Sequence, residues 1–325
     1  MQWHLSEMCN LKCLHCYQEN HTPIQLPYEK LEVIYKQYKQ LLDKLNMKGH
    51  INITGGEPLC NPYLFKILDL IKKDEENISF SILTNGTLVT DDIAKKIKSY
   101  NPYYVQVSLE GGKKTNDSIR GKGTYRRIAK GIYNLKKNDI YTSISFTASK
   151  MNYKEFHKVV QYAKKHHIDN VWSDRYIPLG DKEDRENVLN LKETQEYLNA
   201  MYAEKLKLEK QHSHTSVSMN RALQFLMTND FAYGCTAGDS LLTVMENGDL
   251  VPCRRMPIYI GNLLKEDMYE LYMDNPVLNE LRTKKVPEEC KKCEHSYMCH
   301  GGLKCLSYAL YNDFQCKDIG CNIKL

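Results

Sequence analysis

Long apolar runs and targeting signals are absent from this chain of 325 residues. Its purely apolar stretches are only a few residues long, far short of the roughly 20 that a helix needs to cross a bilayer. The N-terminus, from Met1 to His4, shows neither the basic region nor the apolar region of a secretory signal. We therefore expect a cytoplasmic protein with no membrane partner.

A strong excess of either charge is also lacking. The 45 lysines and arginines against 40 acidic residues give a formal net charge of +5, and no basic stripe stands out. Nucleic-acid binding usually requires such a stripe, so we expect no nucleic-acid partner. With 26% charged and 42% hydrophobic residues, the composition is that of a folded globular protein.

Cysteine, by contrast, is abundant, at 12 of 325 residues. A chain of this length can bury a core without disulfides, and clustered cysteines in a reducing compartment indicate metal or redox chemistry. Three lie near the N-terminus, eight lie between residues 235 and 325, and none lies between Cys60 and Cys235. This distribution predicts two metal-bearing modules separated by a scaffold.

The first 180 residues alternate short apolar runs with amphipathic helical patterns. The predicted strands are Gln2–Leu5, Ile51–Thr54, Ile78–Leu83, Tyr104–Leu109, Tyr141–Thr147 and Asn170–Ile177. The predicted helices are Tyr28–Asn46, Pro62–Lys73, a helix capped by Thr90 or Asp91 and ending at Ser99, Thr124 to about Lys137, and Tyr153–His166. Right-handed crossovers close such a series into a barrel. Six units predict an α/β fold with a partial (β/α)6 TIM-like barrel over residues 1–180.

The pattern changes after this series. Residues 181–234 begin with a charged segment, continue with a predicted helix from Leu191 to about Leu208 and a polar loop over Gln211–Ser218, and predict a helical linker. From Cys235 onward, short turns rich in glycine, proline and cysteine predict a small cysteine-rich domain over residues 235–325.

Three cysteines follow the first predicted strand with the spacing CX3CX2C: Cys9, Cys13 and Cys16. In a barrel of this kind, the loops at the carboxyl ends of the strands carry the chemistry. Three thiolates can hold three irons of a 4Fe–4S cluster and leave the fourth iron open. The alternative is a zinc site with His15 as fourth ligand, although zinc sites usually pair their ligands across a longer gap.

CX3CX2C followed by an aromatic residue resembles the signature of radical S-adenosylmethionine (SAM) enzymes. Further segments at successive strand ends resemble motifs of that family in the same order: Thr54-Gly55-Gly56-Glu57-Pro58, Thr84-Asn85-Gly86, Ser108-Leu109-Glu110-Gly111 and Ile119-Arg120-Gly121. One departure is Glu110, which replaces the aspartate of the family's SLDG segment. The resemblance implies that Cys9, Cys13 and Cys16 hold the cluster that binds SAM.

The same resemblance implies which side chains bind SAM. Glu57 and the Gly55–Gly56 backbone would hold its amino group, Thr84 and Asn85 would lie beside it, Ser108 and Glu110 would bind the ribose, Arg120 would pair with the carboxylate, and Tyr17 would lie near the adenine. Arg175, at the end of the sixth strand, is a candidate contact of SAM or substrate, with a structural salt bridge as the alternative. Cys60 has no place in the pattern and is expected to pack as a small hydrophobic residue.

The spacing of the C-terminal cysteines resembles the SPASM domain, which carries auxiliary iron–sulfur clusters in a subset of radical SAM enzymes. The resemblance implies an outer 4Fe–4S cluster on Cys290, Cys293, Cys299 and either Cys321 or Cys316. It implies an inner cluster on Cys235, Cys253 and Cys305, with the leftover late cysteine or a substrate group as fourth ligand. A pair of structural zinc ions is the alternative.

Such enzymes cleave SAM to a 5′-deoxyadenosyl radical, which abstracts hydrogen from an unactivated carbon. The resemblance implies a maturase that forms a crosslink, in the first place a thioether, in a ribosomally made precursor peptide. The implied partners are that peptide and a reductant such as flavodoxin or ferredoxin. Recognition of a leader would come from a separate leader-binding protein, from the surface of the barrel and SPASM domain, or not occur at all. The alternatives are sulfatase (formylglycine) maturation, oxidative modification or decarboxylation of a small molecule such as a tetrapyrrole, and a non-enzymatic iron–sulfur electron carrier. No catalytic acid or base is assigned.

Overall fold

The computed structural model describes residues 1–18, 21, 25–179, 184–228 and 233–323. The predicted boundary at residues 180 and 181 and the first part of the predicted charged segment lie outside the described residues, and so do residues 229–232 of the predicted linker. The predicted division into three domains therefore stays a prediction.

A single sheet of ten strands runs through the part of the chain that the structure describes. Its strands are β1 (Gln2–His4), β2 (Gly49–Thr54), β3 (Ile78–Thr84), β4 (Val105–Ser108), β5 (Thr142–Ala148), β6 (Asn170–Arg175), β7 (Ser216–Ser218), β8 (Thr243–Val244), β9 (Asp249–Val251) and β10 (Gly261–Asn262). Their order is β10-β9-β8-β1-β2-β3-β4-β5-β6-β7, and every neighbouring pair from β1 to β7 is parallel. The predicted α/β fold built on a parallel sheet is confirmed.

Helices connect these strands and cover them. They are α1 (Tyr28–Leu45), α2 (Leu64–Lys73), α3 (Asp91–Ser99), α4 (Lys113–Arg120), α5 (Thr124–Lys137), α6 (Phe156–Lys165), α7 (Leu191–Lys210), α8 (Phe225–Thr228), α9 (Met268–Asp274), α10 (Pro276–Arg282), α11 (Ser296–Cys299) and α12 (Lys304–Tyr311). Of the two predicted caps of α3, Thr90 is the one that acts, because its hydroxyl accepts a hydrogen bond from the Ile93 amide at 3.2 Å. No helix of the described residues is long and apolar enough to cross a membrane.

Several elements escaped prediction: the region read as short turns from Cys235 onward contains β8 to β10 and α9 to α12, and α8, β7 and α4 were also missed. The signals of β7 and α4 are weak. The segment predicted as a loop over Gln211–Ser218 contains β7, which pairs in parallel with β6. Three residues of mostly serine carry no recognisable strand pattern, and the strand forms because the Ser216 amide donates to the Asp169 carbonyl at 3.0 Å. Helix α4 lies between the Gly111–Gly112 pair and Gly121, and its eight residues are too polar to show a clear apolar face.

The C-terminal segment continues the sheet of the barrel. Strand β8 pairs in parallel with β1, and β9 and β10 extend the sheet by antiparallel pairing. Side chains from this segment, including Val244, Leu250 and Leu263, belong to the same hydrophobic core as the barrel helices. The cysteine-rich region is therefore joined to the barrel at β1 and shares its hydrophobic core.

Candidate functional site

A cavity of about 920 Å3 runs along the inner face of the sheet, from residues at the amino ends of the strands, such as Gln2 and Tyr141, to the loops at their carboxyl ends. Eight of the ten residues predicted to bind SAM line it: Tyr17, Gly55, Gly56, Thr84, Asn85, Ser108, Arg120 and Arg175. Six predicted metal ligands also line it: Cys9, Cys13, Cys16, Cys235, Cys253 and Cys305. The structure thus brings two of the three predicted thiol sets and most of the predicted SAM site to one cavity.

The N-terminal thiols, Cys9, Cys13 and Cys16, lie half-buried in the loop after β1. Burial, followed by the charges of Glu57, Cys13 and Cys16, raises the pKa of Cys9 to about 12. The Leu11 amide donates to the Cys9 sulfur at 3.4 Å, a bond that favours the thiolate. The raised pKa means that the free Cys9 thiol would hold its proton at neutral pH, and a bound metal would displace that proton. The arrangement fits three cluster ligands.

His15 does not join these thiols as the zinc alternative requires. Its Nε2 lies 3.5 Å from Oε1 of Glu110, and burial lowers the pKa of His15 to about 4. In the described ranges, no group of three or more His, Cys, Asp or Glu side chains is arranged to hold a single metal ion. In a four-iron cluster each cysteine binds a different iron. The result therefore argues against a site for a single zinc ion and does not concern a cluster.

The Gly55–Gly56 pair lies against the backbone of the cysteine loop. The Gly56 amide donates to the Ser6 carbonyl at 2.7 Å, and the next amide donates to the Met8 carbonyl at 2.8 Å. A Cβ on Gly56 would lie 2.4 Å from the carbonyl oxygens of Glu7 and Met8, a distance that side chains do not tolerate. The glycines therefore position the loop that bears the predicted cluster ligands.

Glu57 is fully buried and ties the β2 loop to the end of β3. Its Oε1 accepts from the Thr84 hydroxyl at 2.7 Å and from the Leu59 amide at 3.1 Å, and its Oε2 accepts from the Asn85 amide at 2.7 Å. Burial raises the pKa of Glu57, while these hydrogen bonds oppose the rise. Glu57 does not line the cavity, so its contact with SAM stays a prediction, and its visible role is to position the strand ends.

Asn85 links this strand end to the cysteine loop. Its Nδ2 donates to Oδ1 of Asn10 at 2.8 Å and lies 3.9 Å from the sulfur of Cys9. Its Oδ1 accepts from the Thr87 amide at 2.9 Å, which fixes the orientation of the side chain. Asn85 therefore holds the loop of the first thiol from the neighbouring strand.

Glu110 forms a buried ion pair with Arg120. Its Oε1 accepts from Nη2 of Arg120 at 2.6 Å and from Nε at 3.2 Å, and its Oε2 accepts from the Thr147 amide at 2.9 Å. Glu110 is fully buried and does not line the cavity, whereas Arg120 does. Nη1 of Arg120 lies 3.8 Å from the Cys13 sulfur. The carboxylate thus orients Arg120 towards the cysteine loop, and a ribose contact of Glu110 stays a prediction.

Arg175 forms the salt bridge that the sequence left as an alternative. Its Nη1 and Nη2 donate to the two carboxylate oxygens of Asp318 at 2.7 and 2.5 Å, and both side chains are buried. Asp318 also accepts from the Leu303 amide at 2.9 Å. The pair joins the end of β6 to the loop before Cys321. This ion pair forms between residues that are distant in sequence, and no sequence pattern predicted Asp318 as the partner of Arg175.

The inner set of C-terminal thiols, Cys235, Cys253 and Cys305, faces the cavity. Burial raises the pKa of Cys305 well above its usual value, against the opposing charge of Arg255, and the charges of Cys253 and Cys235 add to the rise. The charge of Cys253 likewise acts on Cys235. The three thiols thus line one cavity and act on one another by charge, and their ligation of an inner cluster stays a prediction.

The outer set lies away from the cavity and includes Cys321. Burial, followed by the charges of Asp318, Cys321 and Cys290, raises the pKa of Cys299 to about 12. The charge of Cys293 acts on Cys321 in turn. These charge effects link Cys299 to Cys290 and Cys321, and Cys321 to Cys293, and the ligation of a closed outer cluster by these four thiols stays a prediction.

Cys316 and Cys60 belong to none of these sets. The thiol of Cys316 donates to Oδ2 of Asp313 at 3.7 Å, and after burial the charges that raise its pKa come from Asp313 and Glu289 rather than from a cysteine. Cys60 ends a short 3-10 helix behind Glu57 and is half-buried. Ligation by Cys316 stays a prediction that the structure does not favour.

Three arginines of the cavity wall were missed from the sequence: Arg221, Arg254 and Arg255. The guanidinium of Arg254 lies 4.6 Å from the ring centre of Tyr17 and donates to the Tyr17 carbonyl at 3.1 Å. Nη1 of Arg255 donates to Oδ2 of Asp174 at 2.6 Å. A usable signal existed for two of them, since Arg254 and Arg255 directly follow the predicted ligand Cys253.

Comparison with family models identifies two segments. Residues 3–163 match the radical SAM superfamily, and residues 235–294 match SPASM, an iron–sulfur cluster-binding domain. Both matches include predicted cluster ligands of the cavity.

Among curated relatives, the AdoMet-dependent heme synthase of Methanosarcina barkeri is 27% identical over 337 residues, covering 96% of this chain and 93% of the relative. The antilisterial bacteriocin subtilosin biosynthesis protein AlbA of Bacillus subtilis is 27% identical over 313 residues, covering 91% of this chain and 65% of the relative. Among solved structures, Streptococcus suis SuiB bound to precursor peptide SuiA superposes with a TM-score of 0.76 at 18% identity, covering 99% of this chain and 75% of that chain. This last likeness concerns the fold.

Proposed function

The chain is a radical SAM enzyme with a C-terminal SPASM domain, and we propose that it forms a thioether crosslink in a ribosomally made precursor peptide. Its relatives include a bacteriocin biosynthesis protein, and a protein of the same fold has been solved with a precursor peptide. Relatives of that kind support the peptide as substrate class. A non-catalytic electron carrier, the non-enzyme alternative, would have no use for a SAM site.

The observation that carries this proposal is the pairing of two three-thiol sets around one cavity. A four-iron cluster held by three cysteines has one ligand place for a group from outside the chain. On the N-terminal set, Cys9, Cys13 and Cys16, that group would be SAM. On the inner set, a cysteine thiolate of the substrate fits the same place, and it would then lie in the cavity where the carbon partner is activated.

The residues of the chain would share the work as follows. With SAM bound and one electron from the reductant, the N-terminal cluster would supply a 5′-deoxyadenosyl radical that takes a hydrogen atom from an unactivated carbon. The substrate thiol would lose its proton, and the one electron released when the carbon radical bonds to sulfur would pass to the inner cluster. Arg120, held by Glu110, would face the SAM carboxylate, and Gly55 and Gly56 would keep the cysteine loop in place. The outer set, closed by Cys321, would complete a second auxiliary cluster. The number of auxiliary clusters and the reductant, such as flavodoxin or ferredoxin, belong to this proposal.

Two measurements test it. Anaerobically reconstituted, reduced enzyme should release 5′-deoxyadenosine from SAM, and a Cys13→Ala variant should not. Co-expression with a cysteine-bearing peptide encoded beside the enzyme should yield a peptide that lacks two hydrogen atoms and resists thiol alkylation. An enzyme that cleaves SAM but leaves every cysteine of the peptide alkylatable would contradict the thioether.

A second candidate is oxidative decarboxylation of a carboxylate-bearing small molecule such as a tetrapyrrole. The heme synthase of Methanosarcina barkeri matches this chain nearly end to end, and five arginines line the cavity: Arg120, Arg175, Arg221, Arg254 and Arg255. Release of carbon dioxide from a tetrapyrrole in step with 5′-deoxyadenosine would favour this candidate over peptide crosslinking.

A further inference from the structure

Arg221, an arginine of the cavity wall, contacts two aromatic rings and forms no salt bridge with the described residues. The guanidinium carbon of Arg221 lies 5.0 Å from the ring centre of Trp172 and 5.7 Å from that of Tyr233. Its Nη1 lies 3.4 Å from the Tyr233 hydroxyl. Among the residues described, no carboxylate lies within ion-pair distance of Arg221. The rings fix the position of the guanidinium, but they bring no negative charge to neutralise it.

The carboxylate of Asp174, on which the charge of Arg221 acts, already forms an ion pair with another arginine. The charge of Arg221 acts on Asp174, but Oδ2 of Asp174 accepts from Arg255 at 2.6 Å. An arginine has five N–H donors in a planar fork that suits a carboxylate. Because Tyr233 engages only one nitrogen of Arg221, most of this fork remains available to a molecule in the cavity.

The cavity as a whole has the charge that an anionic substrate would need. Its described lining contains five arginines and one acidic residue, Asp174. Buried carboxylates hold Arg120 and Arg175 through ion pairs, and Asp174 holds Arg255. Arg221 and Arg254 remain as the arginines of the lining without such a pair. A positive cavity attracts anions and concentrates them at the site.

We propose that Arg221 is a specificity-determining residue that binds a carboxylate of the substrate. This inference rests on the proposed function, since it takes the cavity to be the substrate site. The charge of Arg221 also acts on the thiol of Cys235, so the bound carboxylate would lie beside the inner thiol set. A glutamate or aspartate of a precursor peptide and a propionate of a tetrapyrrole both offer this group.

The test measures binding of two matched probe pairs to the cluster-loaded enzyme with SAM under anaerobic conditions. One pair is coproporphyrin III and its tetramethyl ester, and the other is two cysteine-bearing peptides that differ by one Glu or Gln. Loss of a charge-assisted hydrogen bond should weaken binding of at least one acidic probe about tenfold or more in Arg221→Gln. The neutral partner should bind weakly and equally to both enzymes. Arg126→Gln, which removes an exposed charge on α5, serves as control and should bind like the wild type.

The probe pair whose acidic member loses affinity in Arg221→Gln identifies the source of the carboxylate. Equal binding of both acidic probes to the wild type and Arg221→Gln would overturn the proposal, and so would a responding acid whose neutral partner binds the wild type just as tightly. Iron content and the thermal midpoint of Arg221→Gln establish that the variant is folded and loaded. Failure of the proposed function would appear elsewhere, as the absence of 5′-deoxyadenosine from the wild-type enzyme.

Discussion

Arg175 and Asp318 form a buried, two-pronged ion pair between residues 143 positions apart in the chain. Arg175 ends β6 of the barrel, and Asp318 lies three residues before Cys321 of the outer thiol set. Asp318 also accepts from the amides of Leu303 and Gly320 at 2.9 Å. The Asp318 carboxylate therefore connects the C-terminal loop both to the segment at Leu303 and to β6 of the barrel. We expect the positions of the outer thiols to depend on these contacts.

Removing one partner of this pair should destabilise the protein strongly. Asp318→Ala leaves the Arg175 guanidinium buried without a counter-charge, which typically costs about 3–5 kcal/mol. We expect a lower free energy of unfolding in denaturant titration and loss of iron from the outer set. Lys192→Ala, which breaks an exposed pair with Glu196 on α7, should change stability by about 0–1 kcal/mol. Equal effects of the two changes would contradict a structural role for the Arg175–Asp318 pair.

The two late cysteines should behave differently. Three four-iron clusters correspond to roughly 12 irons per chain. Cys321→Ala removes a member of the outer thiol neighbourhood, so iron content should fall by about four per chain. Cys316→Ala removes a thiol that contacts Asp313, and iron content should stay at the wild-type value. Iron and sulfide analysis of matched anaerobic preparations measures both. The reverse result would assign the outer ligand to Cys316.

His4 should make stability depend on pH in the acid range. Its Nε2 is buried without a hydrogen-bond partner among the described residues, and burial, with the charge of Arg254, lowers its pKa from 6.5 to about 3. Between these two values, the unfolded chain binds a proton that the folded protein excludes. The free energy of unfolding should therefore fall as pH falls through this window, by about 1.4 kcal/mol per pH unit.

The variant His4→Met removes this contribution and should make the stability curve less steep between pH 6.5 and 5, while the buried His15 keeps a contribution of the same sign. His167 is exposed, so His167→Asn, at a position with φ of 52° that asparagine tolerates, should keep the wild-type slope. Denaturant titrations at several pH values provide the comparison. A slope in His4→Met as steep as in the wild type would show that other groups cause the acid sensitivity.

Contiguous patterns made much of the site predictable. The CX3CX2C motif and each segment at a strand end span only a few residues. The alternation of strands and helices places these motifs at one edge of the sheet. Three thiols that the resemblance assigns to the inner set, Cys235, Cys253 and Cys305, line one cavity. Contacts across the fold could not be predicted in this way: Glu57 bonds to Thr84, and Arg254 lies on Tyr17 from 237 residues away. No local pattern encodes such pairs, because tertiary packing creates them.

Gly56 provides a final test of how the cysteine loop is held. A methyl group at this position would lie 2.4 Å from two backbone carbonyl oxygens of that loop. Backbone cannot move aside as a flexible side chain does, so Gly56→Ala should displace the loop that bears Cys9, Cys13 and Cys16. Iron bound by the N-terminal set, about four per chain, should be lost together with SAM binding.

The matched control for this prediction is Gly112→Ala. A Cβ at Gly112 would meet Cδ of Lys158 at 3.2 Å, and the end of a lysine side chain can turn away at little cost. The φ of Gly112 is −66°, which alanine adopts without strain. Gly112→Ala should therefore retain wild-type iron content and SAM affinity, measured by iron analysis and by calorimetry. If Gly56→Ala also retained both, the close backbone contact would not be what holds the cysteine loop, and the loop would have to be fixed by Asn85 and Arg120 alone.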